Sequence, residues 1–131
     1  MNEIQFPSGP WTGFYTYQSV GGKHAMDLTL AFAEGRITGD GTDAVGMFII
    51  DGSYDAVGGE CDWRKSYIGA HDVFYRGFRE GKGIWGTWEI HREWRGGFQI
   101  WPLGEVEAEE FQLEAEEPIG FAVGTAGSPA V

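Results

Sequence analysis

Cysteine is almost missing from this chain. Cys61 is the only one among 131 residues, so neither an internal disulfide nor an all-cysteine metal site can form. A lone thiol of this kind is ordinarily a small buried side chain. Positive charge is also scarce, with nine Lys and Arg against 20 Asp and Glu and a net charge of −11. That balance argues against nucleic acid and anionic membrane surfaces as partners. The imbalance is local: Leu103 to Val131 holds seven Glu and no Lys or Arg, which leaves −4 for residues 1–102. No apolar run approaches the ~20 residues that span a bilayer as a helix. Met1-Asn2-Glu3-Ile4 has neither a basic n-region nor an apolar h-region, so a cytoplasmic protein is expected.

Catalytic and cofactor signatures are equally sparse. The three histidines, His24, His71 and His91, fall on different expected strands without ligand spacing, so no metal site is expected. Gly39-Asp40-Gly41-Thr42-Asp43-Ala44 lacks the alternating oxygen ligands and closing glutamate of a calcium loop and reads as a turn. No dinucleotide fingerprint, phosphate loop or nucleophile elbow occurs. No cofactor is expected.

Glycine and aromatic residues are abundant instead: 22 Gly, nine Phe, six Trp and five Tyr. Glycine-containing turn signals recur at Gly21-Gly22, Glu34-Gly35, Gly39-Asp40-Gly41, Gly58-Gly59, Gly69-Ala70, Gly81-Lys82-Gly83 and Gly96-Gly97. Between them lie runs rich in aromatic and β-branched residues, the signature of strands. Eight strands are predicted, over about 11–19, 24–33, 36–41, 45–54, 60–68, 71–79, 83–92 and 96–102. Short connections place each strand beside its predecessor. An eight-strand meander removes its edges by closing, so the expected fold is all-β, an antiparallel up-and-down barrel over 1–102. Residues 103–131 form an acidic C-terminal extension, expected to be partly ordered or disordered.

Alternation assigns faces. Met26, Leu28, Leu30 and Phe32 share one side of the second strand, and Ile84, Gly86, Trp88 and Ile90 one side of the seventh. Both sets are expected inside. If Gly69-Ala70 is a two-residue loop, Ile68 pairs with His71 and Trp63 with Arg76. Trp63, Lys65, Tyr67, Asp72, Phe74 and Arg76 would then share one surface. This register makes Tyr15, Tyr17, Trp63, Lys65, Asp72, Phe74, Arg76 and Trp88 the candidate ligand-binding residues: aromatic walls with charges to orient a planar or anionic small molecule. Trp63 opposite Arg76 would form a cation–π pair. Trp85, Trp94, Trp101 and Phe98 are expected at the outside or the rim, as an interface or beneath the C-terminal segment.

Several of these residues resemble a known family. Trp63-Arg64-Lys65-Ser66-Tyr67-Ile68-Gly69-Ala70-His71 is similar to the avidin and streptavidin segment that runs from Trp through polar residues to Tyr and then Ala-His. Gly52-Ser53-Tyr54-Asp55 resembles that family's Gly-x-Tyr-Asp, and Thr12-Gly13-Phe14-Tyr15 resembles its opening Thr-Gly-x-Trp. Ile37-Thr38-Gly39 resembles its third strand, and Ile84 with Trp88 its seventh. The likeness spans about residues 11–101. It implies a calycin-type barrel, with Trp63 and Trp88 where the family walls biotin, and assembly into a dimer or tetramer. The family's polar contacts are replaced. Tyr17 and Gly41 stand where an asparagine and a tyrosine would be, Asp72 and Phe74 where a hydroxyl pair would be, and Arg76 where a third tryptophan would be. The last strand, Gly97 to Pro102, has no aspartate. A ligand other than biotin is therefore expected. Two other readings stand beside this one: a filled barrel that binds protein partners or its own copies, and a small lyase- or isomerase-type enzyme using Asp72, His71, Tyr75 or Arg76.

Overall fold

The computed structural model describes residues 4–18, 21–91 and 94–103. Eight strands follow in order: β1 (Gly9–Tyr15), β2 (His24–Ala33), β3 (Arg36–Asp43), β4 (Met47–Tyr54), β5 (Glu60–Tyr67), β6 (Asp72–Glu80), β7 (Gly83–Ile90) and β8 (Trp94–Pro102). Each pairs antiparallel with the next, and β1 pairs with β8, so the sheet closes as the expected up-and-down barrel. The seam continues past β1, where the Thr16 and Gln18 amides donate to the Gly97 and Arg95 carbonyls. The acidic extension lies outside the described residues apart from Leu103.

Turn chemistry explains most connections. Glu34 and Gly35 both have positive φ (49° and 82°), as a two-residue I′ hairpin requires, and they join β2 to β3. Two turn expectations are corrected. Gly39-Asp40-Gly41 lies within β3 and Gly96-Gly97 within β8. These glycines belong to strands because the sheet curves tightly into the lumen there. At Gly41 a β-carbon would overlap the Asp27 carbonyl oxygen and lie 2.7 Å from the Phe48 ring.

The β5–β6 hairpin also differs from expectation. Its loop has three residues, Ile68 to Ala70, closed by the Ala70 amide donating to Tyr67 O and the Tyr67 amide donating to His71 O. Gly69 supplies φ of +77°. The register becomes Ser66↔Asp72, Lys65↔Val73, Arg64↔Phe74 and Trp63↔Tyr75. One residue of slip exchanges the faces of a strand. Asp72, Phe74 and Arg76 consequently lie on the outer face, Val73 and Tyr75 point inward, and the expected Trp63–Arg76 pair does not form.

The inward faces of β2 and β7 are as expected, with Met26, Leu28, Leu30, Ile84 and Trp88 buried. The two barrel ends differ in chemistry. At one end Phe6 packs on Phe32 and Tyr54, at centroid distances of 5.2 and 4.6 Å, and the Trp11 indole donates to Pro7 O. Arg79 lies over Trp11 and donates to Gln5 O. The segment before β1 therefore seals this end. The opposite end, where β1, β3, β5 and β7 finish and β2 begins, carries the polar groups.

Candidate functional site

The polar end is organised by alternation along three strands. Period-2 placement on β3 turns Ile37, Gly39, Gly41 and Asp43 inward. On β5 it does the same for Cys61, Trp63, Lys65 and Tyr67, and on β6 for Val73 and Tyr75. The side chains of Lys65 and Asp43 are both completely buried, and Lys65 Nζ donates to Asp43 Oδ2 at 2.8 Å. Tyr67 Oη donates to the same oxygen at 2.7 Å. The other carboxylate oxygen, Oδ1, accepts from the Val45 amide at 2.9 Å. Asp43 is thus fully engaged, as a buried charge must be.

Aromatic rings enclose the ammonium. Its nitrogen lies 4.6 Å from the Phe48 ring centroid, 4.8 Å from Tyr15, 5.0 Å from Tyr67 and 5.2 Å from Tyr75. The barrel's own lysine occupies a cage of the sort that recognises organic cations. A second layer adjoins it: Trp63 stacks on Tyr75 at 5.4 Å, and Phe98 meets both rings edge-on. Tyr15, Tyr17, His24 and Trp88 form a third group, and the Trp88 indole donates to Thr16 O.

Burial sets the proton affinities. Desolvation pulls the Lys65 ammonium down to about 8, against the Asp43 carboxylate, which raises it. Desolvation first, with the Asp43 charge second, pushes Tyr17 up to about 12 and Tyr15 upward as well. Tyr67 is raised by burial and by its hydrogen bond to Asp43, and Tyr75 mainly by burial. Burial also lowers His24. Each of these phenols stays protonated at neutral pH, and the Tyr67 proton is committed to Asp43 Oδ2.

Three buried polar atoms here have no hydrogen-bond partner: Trp63 Nε1, Tyr75 Oη and His24 Nε2. Buried polar groups are ordinarily satisfied, so three orphans around one lumen need an explanation. An indole N–H can only donate, a phenol can donate or accept, and a neutral imidazole has one nitrogen of each kind. The one carboxylate nearby is already engaged, so the Trp63 N–H and the Tyr75 O–H are donors without an acceptor.

Of the candidate binding residues, the structure brings Tyr15, Tyr17, Trp63, Lys65 and Trp88 together inside the barrel. Asp72, Phe74 and Arg76 lie on the outside. Three participants escape the reading of the sequence. Tyr67 falls on the expected inner face but not among the candidates. Tyr75 is lost to the register error. Asp43 is hidden in an expected turn, although alternation from Ile37 finds it. Phe98 is buried in the core, not at the rim, whereas Trp85 and Trp94 are exposed as expected; Trp101 lies outside the core cluster, on the outer side with Phe14, and is buried there. Cys61 is buried beside Gly77 O, and burial pushes its thiol up to about 12. Among the described residues, no group of three or more His, Cys, Asp or Glu gathers to hold a metal.

No protein-family model, curated protein or solved structure matches the chain significantly. The site is therefore read from its own chemistry.

Proposed function

We propose that the protein binds a small molecule inside the polar end of its barrel. The ligand is planar or anionic, carries acceptor atoms, and is not biotin. The orphaned donors Trp63 Nε1 and Tyr75 Oη carry this reading. A carboxylate or carbonyl oxygen would satisfy them, with His24 and the Lys65 ammonium adding polarity and the surrounding rings supplying apolar wall. The avidin-like pattern of Trp63 and Trp88 supports an interior site, while the loss of that family's ureido contacts argues against biotin. Arg76 has no part in this site, because it faces outward.

The test is a titration followed by tryptophan fluorescence and thermal unfolding. The probes are benzoate and indole-3-acetate, with benzamide, tetramethylammonium and biotin as comparisons. A carboxylate at a hundred times its Kd should stabilise the fold by ~2.7 kcal/mol, several degrees of Tm. It should also change the emission of Trp63 or Trp88. Preference for tetramethylammonium over the carboxylates would overturn the reading, because the lumen would then be an acceptor site. No response to any probe would also overturn it and would favour a filled barrel acting through its surface.

A further inference from the structure

The outer wall over β5, β6 and β7 has a chemistry separate from the lumen. Register places Arg64, Phe74 and Glu89 in one row across the three strands, with Asp51 of β4 beside Arg64. Asp62, Arg76 and Thr87 form the next row. These side chains border a depression of about 520 Å³, a size at which small-ligand sites are built. Aromatic rings stand at both ends of the face. Phe74 is 54 % exposed at the depression. Phe78 and Trp85 oppose each other in the row beyond Arg76 and Thr87, and both are exposed. That row lies about 13 Å along β6 from Phe74, at ~3.3 Å per residue. Among the described residues, the cations that sit over rings are Lys23, Lys65 and Arg79, on other aromatics. The Trp85 indole is fixed in place, because its N–H donates to Glu80 Oε1 at 2.8 Å. A single exposed aromatic is ordinary, but three in register on one wall are not.

The polar groups between the rings are exposed and of both signs. Among the described residues, the ion pairs are Arg36–Asp51 and Lys65–Asp43. Arg64, Arg76, Asp62 and Glu89 take part in neither. The depression thus carries two guanidinium groups, the Thr87 hydroxyl and three carboxylates, of which Asp51 is already paired. An anionic ligand meets the carboxylates, and a cationic one meets the arginines. A neutral polyol meets neither obstacle, because each hydroxyl can donate to a carboxylate or accept from a guanidinium. A sugar ring adds an apolar face of C–H groups, which packs on the negative face of an aromatic ring.

From this wall we infer that the protein binds an uncharged oligosaccharide on its outer surface. The saccharide lies along β6, with one sugar ring on Phe74 and another on Trp85. Between them its hydroxyls hydrogen-bond to Asp62, Arg76 and Thr87, and at the Phe74 end to Arg64 and Glu89. The distance between the two rings requires an oligomer, since a single sugar reaches only one of them. The inference does not depend on any ligand in the lumen.

Titration calorimetry of the full chain, with tryptophan emission in parallel, provides the test. The probes are cellohexaose, xylohexaose, maltohexaose and chitohexaose. Their monosaccharides are the single-sugar comparisons, and hexagalacturonate and hexalysine the charged ones. At least one neutral hexasaccharide should bind, at least tenfold more tightly than its monosaccharide and than either charged oligomer. Phe74→Ala and Trp85→Ala change exposed side chains, and circular dichroism checks that both variants keep the fold. Each should weaken binding at least tenfold. Silence from all four hexasaccharides overturns the inference and leaves the wall to a protein partner. Preference for hexagalacturonate or hexalysine also overturns it, because the wall would then select a charge. So does an affinity that either variant leaves unchanged, because the saccharide would then lie elsewhere.

Discussion

Lys65 Nζ and Asp43 Oδ2 lie 2.8 Å apart with both side chains fully buried, joining β5 to the end of β3 across the barrel lumen. Breaking a buried pair leaves the other charge without compensation, at a cost of about 3–5 kcal/mol. Lys65→Met and Asp43→Asn should each lower the unfolding free energy by that order, read from urea unfolding curves. The double variant should lose much less than the two single losses added together, because it leaves no uncompensated charge. Additive losses would show that the pair is not energetically coupled.

The same pair gives an alkaline signature. Lys65 titrates at about 8 in the folded chain and near 10.5 when unfolded. Between those values the unfolded state binds more protons, so stability rises with pH, by about 2 kcal/mol by pH 9.5. The buried tyrosines act in the opposite sense. Their folded pKa values lie above the ordinary 10, as Tyr17 at about 12 illustrates, so stability falls as pH climbs past 10. The Cys61 thiol, which burial pushes up to about 12, opposes the rise as well, because the unfolded thiol loses its proton from about pH 8.5. Denaturant unfolding of the native chain from pH 7 to 11 should therefore show a shallow maximum near pH 9 followed by a fall, and Lys65→Met should show the fall alone. The amine is read from the difference between the two profiles, and profiles that run parallel from pH 7 to 9.5 would contradict its burial.

The barrel is legible in the sequence because its evidence is repeated in every strand. Turn glycines, short connections and alternating faces all point to one closed meander, and an error at one turn does not change the topology. The site is less legible because it depends on single-residue register. The hairpin after Tyr67 contains one more loop residue than its Gly69-Ala70 pair suggests, and that residue moves Phe74 and Arg76 outside and Tyr75 inside. Asp43 is obscured for a different reason. Its neighbours Gly39 and Gly41 look like turn residues, yet they are glycine because a curved strand brings backbone carbonyls against both and the Phe48 ring against Gly41. Neither distinction is visible without the neighbouring strand.

The close packing at Gly41 can be measured. A methyl group there would overlap the Asp27 carbonyl and press on the buried Phe48 ring, and overpacking of this kind costs about 1–3 kcal/mol. Gly41→Ala should lower Tm by several degrees. Gly21→Ala, where nothing lies within 4 Å, should change stability by no more than ~0.5 kcal/mol. Equal effects at the two positions would mean that Gly41 is not tightly packed.

Tyr75 separates stability from function most sharply. Its ring is buried between Trp63 and Phe98, while its hydroxyl is buried without a partner. An unsatisfied hydroxyl costs about 1–3 kcal/mol, so Tyr75→Phe should stabilise the ligand-free chain, unlike most changes to a core. The same substitution removes one of the donors that the proposed ligand would engage. Affinity for a carboxylate probe should therefore fall by roughly tenfold, the worth of one lost hydrogen bond at ~1.4 kcal/mol. Thermal unfolding without ligand and fluorescence titration with it measure the two effects on one sample. A stabilised variant with undiminished affinity would remove Tyr75 from the binding site. A destabilised one would mean that the hydroxyl is satisfied in solution.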